Sequence, residues 1–365
     1  MNEKQRRKDD MVGVYIGSTA GYSGKNLVAL ALGLKFQKEG LRVGYMKPVG
    51  AVPHREGERV GDEDAFFVQR MLGLDEDPAL VTPVLVTRDF TVKAFTEGHG
   101  DLMAPVRKAY AKLSADKDVM LVAGSGTFLS SGVYCGAEGT RVAGELGLKT
   151  LLIDRFSGGE LRYDYILRTS RLLGEDMAGV LFNDVPDHYL PELNELIGPF
   201  LEKNGVPILG TIPSDPIMGA IKVKDLAERL SGKIVSAHAK ADRVVENFLI
   251  GTMQVENFMT HFRRHKNSAI IVGGDRSDVQ LVALEGSCPC LILTGNLYPN
   301  DIILTRSEVL ETPIIMVRED TFTVAKKMEG ILSRHKLRDA LKVTHGAQLV
   351  AQHVDFERLA ERTGL

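Results

Sequence analysis

The stretch Val12-Gly13-Val14-Tyr15-Ile16-Gly17-Ser18-Thr19-Ala20-Gly21-Tyr22-Ser23-Gly24-Lys25-Asn26 decides the fold. Val12 to Ile16 is an apolar run of strand length, and the glycine-rich turn after it leads straight into a helical pattern with Leu27, Leu30, Ala31 and Leu34 at i, i+3, i+4 and i+7. Gly40 stops that helix before the next strand. Strand, glycine turn, Gly-Lys and helix together form the context of a phosphate-binding loop. Gly21, Tyr22, Ser23, Gly24, Lys25 and Asn26 are the candidate binding residues. Their backbone N–H groups can converge on phosphate oxygens, the helix N-terminus adds about half a positive charge, and Lys25 adds a full one. The bland alternative is a glycine turn with a solvated lysine. Two departures stand out. Asn26 replaces the Ser or Thr that normally follows the lysine and holds Mg²⁺, and the interval from Gly17 to Gly24 is longer than usual.

Further apolar runs follow at Val43 to Met46, Val119 to Ala123, Thr150 to Asp154 and Ala178 to Asn183, with helical patterns between them. Short runs without in/out alternation suit strands covered on both faces, and intervening helices imply parallel crossovers. A second cycle runs through Ser268 to Val272, Cys290 to Thr294 and Pro313 to Val317, with helices expected to start near Ser277, Asn300 and Asp320, all good N-cap residue types. The boundaries read as a disordered tail at 1–10, a first domain at 11–213, a second at 214–332 and a helical extension at 333–365 carrying Leu337, Leu341, Leu349, Val350 and Val354.

Composition bounds the function. The chain has 365 residues, 45 Lys and Arg against 48 Asp and Glu, and three cysteines. A net charge of −3 gives no footprint for a nucleic acid or an anionic membrane. Cys135, Cys288 and Cys290 are too few for a disulfide scaffold, and no apolar run approaches the ~18 residues of a membrane span. A cytoplasmic protein is expected.

GYSGKN (residues 21–26), Tyr45-Met46-Lys47-Pro48-Val49-Gly50, Asp64-Ala65 to Gln69-Arg70, Val122-Ala123-Gly124-Ser125-Gly126 and Asn183-Asp184-Val185-Pro186 resemble dethiobiotin synthetase, an ATP-dependent carboxylase of the P-loop superfamily. The likeness is closer to the N-terminal region of bacterial phosphotransacetylases, in which a DRTGG domain follows the P-loop domain. Gly273-Gly274-Asp275-Arg276-Ser277-Asp278-Val279-Gln280, Leu293-Thr294-Gly295 and Asp320-Thr321-Phe322 resemble that second domain. The resemblance implies an α/β fold, a P-loop NTPase-like parallel sheet with flanking helices, then a smaller α/β DRTGG domain and C-terminal helices. The acetyltransferase domain would need about 300 further residues.

The resemblance also implies roles. Lys25 would contact phosphates, Lys47 would sit where the synthetase binds carbamate and phosphate, Asp64 would ligate metal, and Asn183 would recognise adenine. The family's metal-binding glutamate is Ala123 here. Asp154, ending its strand, is a candidate displaced metal ligand; a turn cap around Ser157-Gly158-Gly159 is the bland alternative. The implied cofactor is ATP or another purine nucleotide, with two of the expected Mg²⁺ ligands replaced. Several charge-assisted hydrogen bonds of about 1.5–3 kcal/mol each suffice for micromolar binding. Phosphoryl transfer must lower its barrier by at least ~8 kcal/mol, much of it from metal charge. Binding without turnover is expected.

The leading expectation is a nucleotide-binding regulatory protein, an oligomer of identical chains serving an enzyme of acetate or acyl-phosphate metabolism. The alternatives are an ATP-dependent ligase or carboxylase using Lys25, Lys47 and Asp64, and a non-catalytic scaffold. Minor features read blandly: Gly273-Gly274-Asp275 as a structural turn or an anion site with Asp275 opposing, Cys288-Pro289-Cys290 as buried thiols, the His261 to Lys266 run as cations at a helix end. Arg141, Arg155 and Arg162 could meet an acidic ligand or form a solvated face.

Overall fold

The computed structural model describes residues 11–157, 160–265, 267–333 and 340–365. The expected tail at 1–10, Gly158, Gly159, Lys266 and Leu337 lie outside these residues, as does the Leu341 side chain. Contacts divide the chain into two compact units, residues 11–214 with 340–365, and residues 215–333.

The first unit is built on six strands: β1 (Val12–Ser18), β2 (Val43–Met46), β3 (Val119–Ala123), β4 (Lys149–Arg155), β5 (Met177–Val185) and β6 (Ile208–Pro213). They form one parallel sheet in the order β6-β5-β4-β1-β3-β2. The runs lack alternation because both faces are covered: Val14, Ile16, Met120, Leu121, Leu151 and Leu152 are all sealed from solvent. Strand order reverses about β1, whose carboxyl end therefore lies between diverging connections. In open α/β sheets that is where ligands bind.

Helix α1 (Lys25–Lys38) follows β1, and Gly40 at φ 87° provides the left-handed residue beyond its end. The sequence pattern gives α1 one apolar stripe. In the structure Leu27, Val28, Ala29, Leu30, Ala31, Leu32 and Phe36 are all buried, whereas Leu34 is only partly so. The extra cover is a helix from the far end of the chain, α10 (Ala340–His353), which packs on α1. The last helix, α11 (Phe356–Thr363), is pinned to the same sheet. Arg358 donates to Glu202 at 2.7 Å and to the Ile208 carbonyl at 2.9 Å. Gly210, at φ 152°, accepts this close approach, since a Cβ there would lie 2.0 Å from the His353 carbonyl oxygen.

Between β2 and β3, helix α2 (Glu63–Met71) starts on Asp62, whose carboxylate accepts from the amides of Asp64 and Ala65 at 3.0 and 3.2 Å. Helices α3 (Met103–Leu113), α4 (Gly139–Glu145) and α5 (Tyr163–Leu173) complete the layers.

The second unit has strands β7 (Lys233–Ser236), β8 (Asn247–Ile250), β9 (Ser268–Gly273), β10 (Leu291–Thr294) and β11 (Ile314–Met316), in the order β7-β11-β10-β9-β8 with only β7 antiparallel. Helices α6 (Val255–Phe262), α7 (Ser277–Glu285) and α8 (Asp301–Val309) cover the face carrying Ile270 and Val272. Helix α9 (Thr321–Ser333) and the helix Val223–Arg229 cover the face carrying Ala269 and Ile271. Asn300 and Asp320 cap α8 and α9 through the amides of Ile303 and Thr323, each at 3.0 Å. Ser277 does not cap α7. It is already the first helical residue, and Arg276 holds the cap position without a side-chain bond. Strand β10 begins one residue after Cys290. Among the described residues no helix is long and apolar enough to cross a membrane.

Candidate functional site

At the carboxyl end of β1, the Ser18 hydroxyl donates to the Ala20 carbonyl at 2.7 Å, and the Ser23 hydroxyl donates to the same oxygen at 2.9 Å. These bonds fold Gly17 to Gly24 into a tight turn. Two residues in it are left-handed, Tyr22 at φ 58° and Gly24 at φ 105°. Gly24 is required for a second reason: a Cβ there would lie 2.5 Å from the Asn183 Nδ2. That carboxamide donates to the Ser23 carbonyl at 2.9 Å and so ties the end of β5 to the turn. The first intrahelical bond of α1 runs from the Val28 amide to the Gly24 carbonyl at 3.0 Å. The amides of Lys25, Asn26 and Leu27 precede it and face outward from the helix start.

Lys25 folds back over this turn. Its Nζ donates to the Ser18 Oγ at 2.6 Å and to the Gly126 carbonyl at 2.8 Å, joining the end of β1 to the loop after β3. Burial of the ammonium, with the nearby positive charge of Lys47, lowers the Lys25 pKa to about 8; the charge of Asp64 works the other way. Lys25, Lys47 and Asp64 are therefore electrostatic neighbours.

Lys47 lies just past β2 and is 4% exposed. Its Nζ donates to the Asp62 Oδ1 at 2.7 Å and to the Asp64 Oδ2 at 3.0 Å. Asp62, fully buried, also accepts from the Val52 amide at 2.9 Å. Sequence reading missed Asp62 as part of this cluster. An acid immediately before Glu63-Asp64 is legible as a helix cap, but its pairing with Lys47 is not a local property.

Asp154 stands on the other side of β1. It accepts from the Thr19 hydroxyl, from the Arg162 amide at 2.8 Å, and lies 3.5 Å from the Arg162 guanidinium. Burial raises its pKa against those bonds. The carboxylate thus joins the first turn to the start of α5. Asn26 is half-buried in the first turn of α1, and Ala123 is buried at the end of β3. The three arginines have partners: Arg141 in Glu145, Arg155 in Asp184 and the Tyr22 carbonyl, Arg162 in Asp154.

Elsewhere, burial pushes the Cys288 thiol up to about 12 and raises Cys290 well above its usual value. Among the described residues no three His, Cys, Asp or Glu side chains gather as a metal group. In the second unit, the turn after β9 is closed by its own atoms. Arg276 donates to Asp278 at 2.9 Å, and the Gln280 Nε2 donates to the Gly273 carbonyl at 2.9 Å.

Comparison with known proteins follows this division. Residues 12–222, more than half of the chain, match the family described as an AAA domain, and residues 225–331 match the DRTGG domain. The phosphate acetyltransferase of Synechocystis sp. is 22% identical over 95% of this chain and 51% of its own length. That of Pseudomonas putida is 26% identical over 93% of this chain and 50% of its own. The ATP-dependent dethiobiotin synthetase BioD of Methanococcus vannielii is 24% identical over 54% of this chain and 92% of its own. The chain spans about half the length of the phosphate acetyltransferases it matches, and resembles their N-terminal region.

Proposed function

We propose a function from one premise: the chain belongs to the AAA domain family, with a DRTGG domain after it. Its first unit is a nucleotide-binding regulatory module that takes ATP or another purine nucleotide without efficient turnover. The observation that carries this reading is the Lys25 ammonium, held 2.6 Å from the Ser18 Oγ and 2.8 Å from the Gly126 carbonyl over the amides of a helix N-terminus. The amides can donate to phosphate oxygens, and Lys25 supplies the charge. Asn183, tied to the turn, stands ready for the base. The machinery for transfer is thin by comparison: an amide at Asn26 and a methyl at Ala123 replace oxygen donors, so the phosphate loop is degenerate. Resemblance to half a phosphate acetyltransferase supports a partner enzyme of acetate or acyl-phosphate metabolism and an oligomeric assembly.

A second reading rests on a cavity of ≈ 200 Å³ beside Gly124-Ser125-Gly126, lined also by Tyr15, Pro48, Ala51, Tyr134 and Cys135. A co-substrate placed there beside Lys47 would make the chain a ligase or carboxylase of the dethiobiotin synthetase type. Calorimetric titration of ATP and ADP into the wild type and Lys25→Ala, with phosphate release measured on the same samples, separates the readings. Binding lost with Lys25 and no phosphate release supports the regulatory module. Release that requires Mg²⁺ promotes the enzyme, and no binding leaves a scaffold.

A further inference from the structure

We infer that the Lys47 ammonium takes the place of a divalent ion between Asp64 and a phosphate chain, so that the site selects the metal-free form of its nucleotide. The inference rests on the nucleotide reading above.

The residues present do not fit Mg²⁺. That ion requires a nearly octahedral set of oxygens at about 2.0–2.1 Å and gives up its waters reluctantly. The carboxylates of Asp62, Asp64 and Asp154 are each already committed. Asp62 is engaged at both oxygens, by Lys47 and the amides of Asp64 and Ala65 on one, and by the Val52 amide on the other. Asp154 holds the Thr19 hydroxyl and Arg162. Asp64 accepts from Lys47 at 3.0 Å. The remaining two family positions carry an amide, Asn26, and a methyl, Ala123.

Lys47 has what the place requires. An ammonium carries three N–H donors. Two go to Asp62 and Asp64, and among the described residues the third has no partner. The group is fixed rather than mobile, because Lys47 is 4% exposed and held from two sides. It also lies near enough to Lys25 to act on its charge. A polyphosphate drawn in by Lys25 would meet Asp64 as a like charge unless a cation stood between them. Lys47 is that cation. A magnesium ion arriving on the nucleotide would be pressed against the ammonium, two positive groups competing for one carboxylate in a buried site.

The test is calorimetric titration of ATP into the full chain, in EDTA and in excess MgCl₂. The wild type should bind at least about fivefold more tightly in EDTA. Lys47→Gln should lose about tenfold or more in EDTA and recover most of it when Mg²⁺ is added, because Asp64 is then released to hold the ion. Lys47→Gln leaves Asp62 without its counter-charge. Lys47→Gln combined with Asp62→Asn, which preserves the helix cap, is therefore measured alongside, with a thermal melt to verify folding, and should show the same reversal. Wild-type binding that strengthens with Mg²⁺, or an EDTA affinity unchanged by the folded variants, overturns the inference and leaves the nucleotide reading standing. Absence of ATP binding by the wild type in both buffers overturns the nucleotide reading, and this inference with it.

Discussion

Two turns in this molecule share a backbone plan and differ in charge. The turn at Gly17 to Gly24 follows β1 and opens α1; the turn at Gly273 to Arg276 follows β9 and opens α7. Both stand at the carboxyl end of a parallel strand, and both offer the N-terminus of a helix. The first has Lys25 held over it, Lys47 near enough to act on that charge, and the Asn183 carboxamide tied into it. The second has Asp275 at its tip, and its arginine is spent on Asp278. A helix start supplies only partial charge. Full charges, fixed by hydrogen bonds to the turn and its neighbours, make one turn a candidate phosphate site and leave the other a structural turn.

The strongest way to break this comparison is to remove the charge that defines the first turn. Lys25→Ala should weaken ATP binding about 100-fold or more, since charge-assisted hydrogen bonds to phosphate are removed and nothing replaces them. A residual affinity within threefold of the wild type, read by calorimetry, would place the ligand elsewhere. Gly24→Ala comes next. A Cβ in the left-handed region costs about 1–2 kcal/mol, and displacing the Asn183 carboxamide adds to it, so about 2 kcal/mol should be lost from folding stability in a denaturant melt. An unchanged midpoint would show that the turn is not held as described.

Acidity sharpens the contrast, because the Lys25 pKa is lowered into the range between neutrality and its ordinary value. The Lys25 pKa is lowered from its ordinary value to about 8 by burial and by Lys47, with Asp64 opposing. Above pH 8 the free protein loses the Lys25 proton on which the proposed phosphate contact depends, so affinity should fall about tenfold between pH 7 and pH 9. Stability moves the other way. Between about 8 and the unfolded value, the unfolded chain binds more protons than the folded one, so the unliganded protein should gain stability as pH rises through that window. Flat affinity over the range would show that Lys25 does not carry its charge to the ligand.

How much of this was legible follows the range of the interactions. The strands could be read because burial on both faces leaves apolar runs, and the turn because glycines and Gly-Lys stand together within ten residues. The second buried face of α1 could not be read, since α10, which covers it, comes from some 300 residues later. For the same reason Lys25 could be identified but not its carbonyl partner at Gly126, and Lys47 and Asp64 but not Asp62 between them. Cap identity was partly legible. Asn300 and Asp320 have the residue type and the position, whereas Ser277 has the type but stands one residue inside the helix. Asn300→Ala should accordingly cost about 1 kcal/mol of stability. Ser277→Ala, in the neighbouring helix, should cost markedly less in the same thermal melt; equal losses would return Ser277 to the cap.

The smallest expected effect tests the second turn most directly. Arg276 is a half-buried cation beside two glycines and a helix start, the composition from which a phosphate site is often inferred. Its guanidinium is already turned onto Asp278 at 3.0 and 2.9 Å and toward the Met253 carbonyl at 3.3 Å. Asp275 adds a negative charge at the tip, and the Gly273 carbonyl accepts from Gln280 rather than leaving the turn open. An anion would have to displace Asp278 and tolerate Asp275, in a solvated place where ion pairs are worth little. Arg276→Ala should therefore leave ATP affinity within twofold of the wild type under conditions in which Lys25→Ala weakens it about 100-fold. A loss of tenfold or more would mean that the two turns serve one ligand chemistry, and that Lys25 and Lys47 are not what distinguishes them.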